Sequence, residues 1–403
     1  MISPMKVESV AWIMQGKDTL FSMFYLITIL FYLKHIKLSG FKKLATFGVI
    51  ILAATLSSLC KIQALTLPIA LFLIDWMYKE KLSPSSIAEK ILIFLLMFNL
   101  FDLVGIKTLL LIIIMSGYFN YWNLGVWLKR NHLINKLAIT FSHLSLNKKM
   151  IFVYLPSVII ATLILIQLYF IKFQYLWNFT DSPEYVFYNG FQRIFLAAYS
   201  LCFYFLSFFF PFYLNNFHAI PEINNNSLPL LYYLSIPLII TILIAIVLFI
   251  RKLTDILLQR QIVFSLLFFL ITLVPVVNIF DMESRVIVAD RYLYLGSIGL
   301  SLFAVLLFNL LINKFPKYRF GFYLIISIFI ISNVSDSYSR SYKWKSSESF
   351  WTEAYLHNPD SYYVLFSMGN VQRDNGNPEK AIRYYSKAVK QRKDLPFLYL
   401  NLA

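Results

Sequence analysis

Residues 362–391 read YYVLFSMGNVQRDNGNPEKAIRYYSKAVKQ, and this stretch decides how the rest of the chain is divided. Leu365, Met368, Gly369, Ala381, Tyr385 and Ala388 alternate small and bulky residues at the spacing that lets two short helices pack as a hairpin. One period of about thirty-four residues later, Leu402 and Ala403 reoccupy the Met368 and Gly369 positions. One period earlier, Trp351, Ala354 and Pro359 match Tyr385, Ala388 and the usual loop proline. Three successive units share the register and only the middle one is complete. The spacing predicts helices at 345–357, 361–375 and 378–391, with an exposed apolar edge at Leu398–Leu402 where the pattern breaks off.

The pattern is that of a tetratricopeptide repeat, and the 403-residue chain that carries it is otherwise of membrane composition. Hydrophobic residues make up 59%, aromatics 18% and charged residues 14%. Soluble domains run about 45–50% apolar, so a polytopic helical domain over 1–336 followed by a short repeat solenoid over 337–403 is expected, all-α throughout. The formal net charge is +16, but the cations sit in short clusters between apolar runs. These are Lys34–Lys43, Lys79–Lys90, Lys129–Lys149, Arg251–Arg260 and Lys314–Arg319. That is the topology signal of the cytoplasmic side, not a nucleic-acid surface. Cys60 and Cys202 lie in apolar runs and read as buried small residues.

Spans of roughly 20 apolar residues fall near 18–36, 44–60, 62–78, 91–105, 107–128, 150–171, 193–213, 228–250, 262–279, 291–312 and 320–335. Placing the basic clusters inside turns residues 1–17, the loop 278–290 and the repeats outward. The stretch 193–213 breaks this alternation. Arg193 at its start and Pro211 near its end favour an interfacial or re-entrant segment there.

Four stretches keep ionisable groups beside membrane-grade sequence, all on the expected outer face. They are Glu8–Ile13 with Gly16–Asp18, Phe191–Arg193 with Asn215–His218 downstream, Ala289–Leu295, and Arg340–Trp344 leading to Trp351. Carboxylates and guanidiniums converging at one membrane surface can supply a base and a phosphate clamp. Taken singly, such charges are also what helix ends collect in the headgroup layer.

In order, VESVAWI and GKD (7–18), KIQALTLPIALFLIDW (61–76), QRIFLAAYSLCFYFLSFFFPFYL (192–214) with NNF, ADRYLYL (289–295) with SIGL, and Arg340, Trp344 and Phe350-Trp351 resemble the transmembrane and tetratricopeptide-repeat-containing proteins. That family is related to polyprenyl-phosphate-dependent glycosyltransferases of the multispanning C-type fold. The resemblance implies transfer of a sugar from a polyprenyl-phosphate donor to a hydroxyl acceptor, expected to be on a protein, at the outer face. It implies a multi-pass protein of a bacterial inner membrane or the endoplasmic reticulum, with membrane lipid, a lipid-linked sugar and a protein or peptide held by the repeats as partners. Under it, Glu8 and Asp290 are the catalytic acids, Arg291, Arg193 and Lys17 the donor-phosphate ligands, and Asp18, His218 and Tyr292 further candidates. Family members begin with a span and an acidic outer loop. Here Met1 lies seven residues before Glu8, and Ser3-Pro4-Met5-Lys6 replaces a histidine-bearing stretch, so that loop is expected to be missing.

No glycine-rich nucleotide loop is present, which argues against a soluble nucleotide-sugar donor. Nor does any cluster have metal-ligand spacing, so no metal site is assigned; a divalent ion is left open. Two other classes compete. A non-catalytic scaffold would display the repeats to a protein partner. A transporter would show inverted repeats and mid-span charges, of which Asp75 and Asp102 are the nearest approach.

Overall fold

The computed structural model describes residues 3–78, 84–99, 188–211, 214–221, 227–279, 286–393 and 395–402. Among these the chain is helical with one isolated antiparallel bridge, Ala219 to Val286. Among the described residues, seven helices are long and apolar enough to cross a membrane. The architecture is an all-α polytopic membrane protein. The expected spans 107–128 and 150–171, and residues 100–105 of the span 91–105, lie outside the described residues.

Two compact units divide the chain, residues 20–170 and residues 1–19 with 171–403. In the first, helix α2 (Gly16–His35, from residue 20 onward), α3 (Gly40–Cys60), α4 (Leu67–Tyr78) and α5 (Pro84–Asn99) pack together. The stretch expected as a span at 62–78 is a 3-10 turn, Ile62–Thr66, running into the twelve-residue α4, shorter than a crossing needs. A buried polar knot joins α2, α4 and α5. The Lys90 ammonium lies 2.6 Å from Asp75 Oδ2 and donates to the Tyr32 hydroxyl at 2.6 Å, while that hydroxyl donates to Asp75 Oδ1 at 2.5 Å. Every heteroatom of the knot is engaged, as a low-dielectric interior demands.

The second unit begins with α1 (Val7–Ala11) and continues with α6 (Gly190–Phe209), α7 (Ser235–Arg251), α8 (Ile256–Leu273), α9 (Leu293–Lys314) and α10 (Arg319–Lys343). Four shorter helices follow: α11 (Ser347–His357), α12 (Tyr362–Asp374), α13 (Pro378–Gln391) and α14 (Pro396–Leu400). Helix α6 starts at a capping box: Asn189 Oδ1 accepts from the Gln192 N–H at 2.8 Å, and Gln192 Oε1 accepts from the Asn189 N–H at 2.9 Å. It then runs unbroken for 20 residues. Pro211 lies beyond its end and does not interrupt it, so the expected broken segment is a continuous helix of crossing length.

Helices α8 and α9 cross closely. A Cβ on Gly299 would stand 2.5 Å from the Ser265 carbonyl oxygen, so only glycine lets the two backbones meet there. By contrast α7 and α10 turn leucines and isoleucines outward along most of their length, as lipid-facing helices do. Only Asn333 and Arg340 of α10 are buried, two turns apart on one face.

The C-terminal helices match the expected bounds within two residues. The Tyr385 ring lies against Gly369, leaving no room for a side chain, and Ala381 and Ala388 are buried beside it. Gly376, at φ +74°, makes the turn between α12 and α13, and Pro378 opens α13. The edge expected to be exposed divides: Leu398 is buried with Leu395, Leu365 and Tyr362, while Leu400 faces out.

Candidate functional site

Helix α1 is short, yet it carries one of the most buried carboxylates in the protein. Pro4 and Met5 pin the turn before it, Met5 entering the same apolar core as Leu196, Phe269 and Leu293. That packing carries Glu8 inward, where it is 3% exposed. Its Oε2 accepts the backbone N–H of Arg291 at 3.0 Å, and its Oε1 forms an ion pair with the Arg291 guanidinium.

Asp290 is directed to a different partner. It is 1% exposed, and its Oδ2 accepts from Arg340 Nη2 at 2.8 Å. Arg340 Nη1 also reaches the Pro4 carbonyl at 3.4 Å. Adjacent residues of opposite charge are thus held by Glu8, 283 residues before Arg291, and by Arg340, 50 residues after Asp290. Two carboxylates and two guanidiniums balance in charge, which is what allows the quartet to be buried.

The segment leading into this pair is anchored through its backbone. Tyr204 hydroxyl accepts from the Ala289 N–H at 3.1 Å, Asn278 Nδ2 donates to the Ile287 carbonyl at 2.5 Å, and the Ile287 N–H donates to the His218 carbonyl at 2.9 Å. Asp290–Tyr292 then forms a single 3-10 turn before α9, and the change of direction splits Asp290 from Arg291.

Aromatic rings line the open side. The Arg291 guanidinium lies 4.9 Å from the Tyr292 ring centroid and 5.7 Å from that of Trp12. Trp12 in turn sits 5.6 Å from Trp344, and Trp344 4.9 Å from Phe350. Lys6 lies over the Tyr294 ring at 5.8 Å, and burial lowers its ammonium pKa.

The electrostatics follow from burial. Glu8 is raised above the ordinary carboxylate range by desolvation, with the Asp290 charge adding to the rise and Arg291 opposing it. His218 packs edge-on against Phe203 at 4.9 Å, and burial lowers it to about 4; Glu8 draws it upward, while Arg340 and His357 push it down. Its Nε2 has no hydrogen-bond partner, nor do Asp290 Oδ1, Arg340 Nε, Trp344 Nε1 and Asn216 Oδ1.

Of the residues singled out from sequence, Glu8, Arg291 and Tyr292 meet directly, Asp290 pairs with Arg340 instead, and Asp290 and His218 lie within electrostatic range of Glu8. Arg193 is engaged at the start of α6, where its Nε donates to the Tyr188 carbonyl at 2.9 Å. Lys17 is exposed and forms no ion pair among the described residues, and Asp18 is buried near Tyr294. Arg340 opens one of the four ionisable stretches but was given no role at the site. Its signal was an arginine seven residues after Asn333, the spacing of one helical face. Among the described residues no group of three histidines, cysteines or acids stands close enough to hold a metal ion.

No protein-family model matches the chain, and no solved structure matches it. Over 127 residues, 32% of its length, it is 30% identical to the human protein O-mannosyl-transferase TMTC4, of which this covers 17%. Over 132 residues it is 30% identical to a protein O-mannosyl-transferase of Caenorhabditis elegans, again 32% of this chain and 18% of the other. The matched stretch therefore spans less than a fifth of these curated relatives. The chain is a multi-pass membrane protein with distant similarity to protein O-mannosyl-transferases.

Proposed function

We propose that the protein transfers a sugar from a polyprenyl-phosphate donor to a hydroxyl acceptor on a polypeptide, at the non-cytoplasmic face of its membrane. One observation carries the assignment of roles. Of the four charged side chains in the quartet, Arg291 alone reaches solvent appreciably, at 18%, against 4%, 1% and 7% for Glu8, Asp290 and Arg340. A guanidinium with five donors, fixed on one side by Glu8 and open on the other, can receive a phosphate bidentately. Arg340 and Asp290 then hold the turn that aims it.

In this reaction the acceptor oxygen attacks the anomeric carbon as the bond from that carbon to the phosphate oxygen breaks. The electron pair leaves with the prenyl phosphate, whose charge Arg291 meets, and the acceptor proton passes to a carboxylate. Glu8 is the better placed base, because it is the carboxylate that lies on Arg291, whereas Asp290 lies on Arg340. Phosphate on Arg291 competes with Glu8 for the same cation, so donor binding frees the carboxylate that the next step needs. Helices α11–α14 are read as tetratricopeptide repeats that hold the acceptor chain.

Reconstituted protein supplied with a prenyl-phosphate mannose donor and a Ser/Thr-rich polypeptide tests this. Arg291→Lys keeps charge but loses the fork. Normal insertion with transfer reduced at least ~100-fold is expected, the size of a lost transition-state contact. Undiminished transfer would refute the clamp. A scaffold that only displays its hairpins is the second reading, favoured by the fact that both carboxylates already have arginine partners. It predicts no transfer at all from intact protein.

A further inference from the structure

The loop between α6 and α7 carries Asn215, Asn216, Phe217 and His218, and its contacts run in two directions. Asn215 folds it locally: its Nδ2 donates to the Phe217 carbonyl at 2.7 Å and its Oδ1 accepts the Phe217 N–H at 3.2 Å. That turn presents the Phe217 ring to the first C-terminal hairpin. The ring is 6% exposed, packed with Ala354 of α11 and Val364 of α12, 5.6 Å from Trp351 and 5.6 Å from Tyr363. Asn358, which ends α11, donates to the Phe217 carbonyl at 2.8 Å. On its other side the loop pairs with the segment that enters the quartet, through the Ala219–Val286 bridge and the Ile287–His218 hydrogen bond.

In a helical solenoid each layer is covered by the one before it, and an end layer needs a cap. Before α11 the chain is the long α10, whose apolar residues turn outward, so among the described residues no preceding helix of the hairpin type lies on this face. Phe217 fills that position. Three residues separate Ala354 from the ring-bearing Trp351, one helical turn, so α11 offers a single slot of fixed depth.

We infer that Phe217 is a positioning residue. It seats the C-terminal hairpins on the segment 286–291, so that a polypeptide held by the hairpins reaches the Glu8–Arg291 quartet in one register. This rests on the transfer reading above for its consequence, though not for its geometry. A junction fixed only at α10–α11, where Lys343 pairs with Glu353, is the competing arrangement.

The test uses full-length protein in lipid nanodiscs, in a Cys60→Ser, Cys202→Ala background. Spin labels go at Phe191 and Leu356, both exposed, one on α6 and one on α11. The parent should give a single narrow distance. Phe217→Ala should broaden it, Phe217→Tyr should restore it, and Glu353→Gln should leave it narrow. An unchanged distribution in Phe217→Ala overturns the inference, because the junction alone then holds the hairpins.

Transfer supplies the second readout. Two acceptors are compared, a Ser/Thr-rich polypeptide of about forty residues, able to extend well beyond the site, and a Ser/Thr pentapeptide. Phe217→Ala should raise KM for the long acceptor on the order of tenfold, as an effective concentration is lost. Its kcat, and both constants for the pentapeptide, should hold. A broadened distance with unchanged KM makes Phe217 structural only and overturns the positioning role. Absence of any transfer by the parent refutes the proposed reaction, while the distances still decide whether Phe217 seats the hairpins.

Discussion

Glu8 binds Arg291 twice, taking its backbone N–H at 3.0 Å through one carboxylate oxygen and its guanidinium through the other, across 283 residues of sequence. One carboxylate therefore sets both the turn at residue 291 and the direction of its side chain.

Glu8→Gln should cost about 3 kcal/mol, the low end for breaking a buried pair, since Arg291 keeps some solvent. Thermal unfolding in detergent against the parent measures it. A shift within error would mean that Glu8 contributes charge to the site but no architecture.

The Asp290–Arg340 pair predicts non-additivity. Asp290→Asn and Arg340→Met each strand a charge that is at least nine-tenths buried. The double variant strands none, so its loss should fall short of the sum of the singles by about 1–3 kcal/mol. Additive losses would show that the two groups do not share their energy.

His218 predicts a pH dependence of stability. Its folded pKa of about 4 lies below the ordinary 6.5, so between those values the unfolded chain binds more protons. Stability is full above the ordinary value and falls as the pH drops through the window, by about 2 kcal/mol at pH 5. Groups facing the imidazole do not reverse the sign: Glu8 favours its protonation, but Arg340, His357 and burial together prevail. Melting temperatures at pH 7 and pH 5, in the parent and in His218→Leu, check this. The variant should lose that part of the slope.

In the other unit, Lys90→Met leaves Asp75 buried without its cation and should cost about 3–5 kcal/mol. Adding Asp75→Leu should return much of it, because an apolar pair of similar size needs no ionic compensation. Unfolding midpoints of the single and double variants separate this from a simple packing defect.

Composition and the apolar run lengths made the membrane class legible, and the small-residue spacing at Gly369, Ala381 and Ala388 located the C-terminal hairpins closely. Local signals failed where tertiary context ruled. Pro211 looked like an interruption because the end of α6 cannot be read from an unbroken apolar run, and the capping box at Asn189–Gln192 shows only where that helix starts. Glu8, Asp290 and Arg291 stood out as ionisable groups in apolar surroundings. Their pairing did not, since neighbours of opposite sign invite the assumption that Asp290 and Arg291 bind each other. The 3-10 turn that separates them, and the Asn333–Arg340 face that supplies the second guanidinium, are properties of the folded chain.

The crossed quartet also has a history in time. Glu8 is made 283 residues before Arg291, and Asp290 fifty before Arg340, so neither pair can close until α9 and α10 have been delivered to the membrane. At translation rates of roughly 5–20 residues per second, the Glu8 carboxylate waits on the order of 15–60 s for Arg291. Throughout that interval the N-terminal turn carries an unmatched acid that favours water over lipid. Burial of α1 is consequently a closing event of biogenesis, and an assembly factor that shields a lone acid would act on this segment.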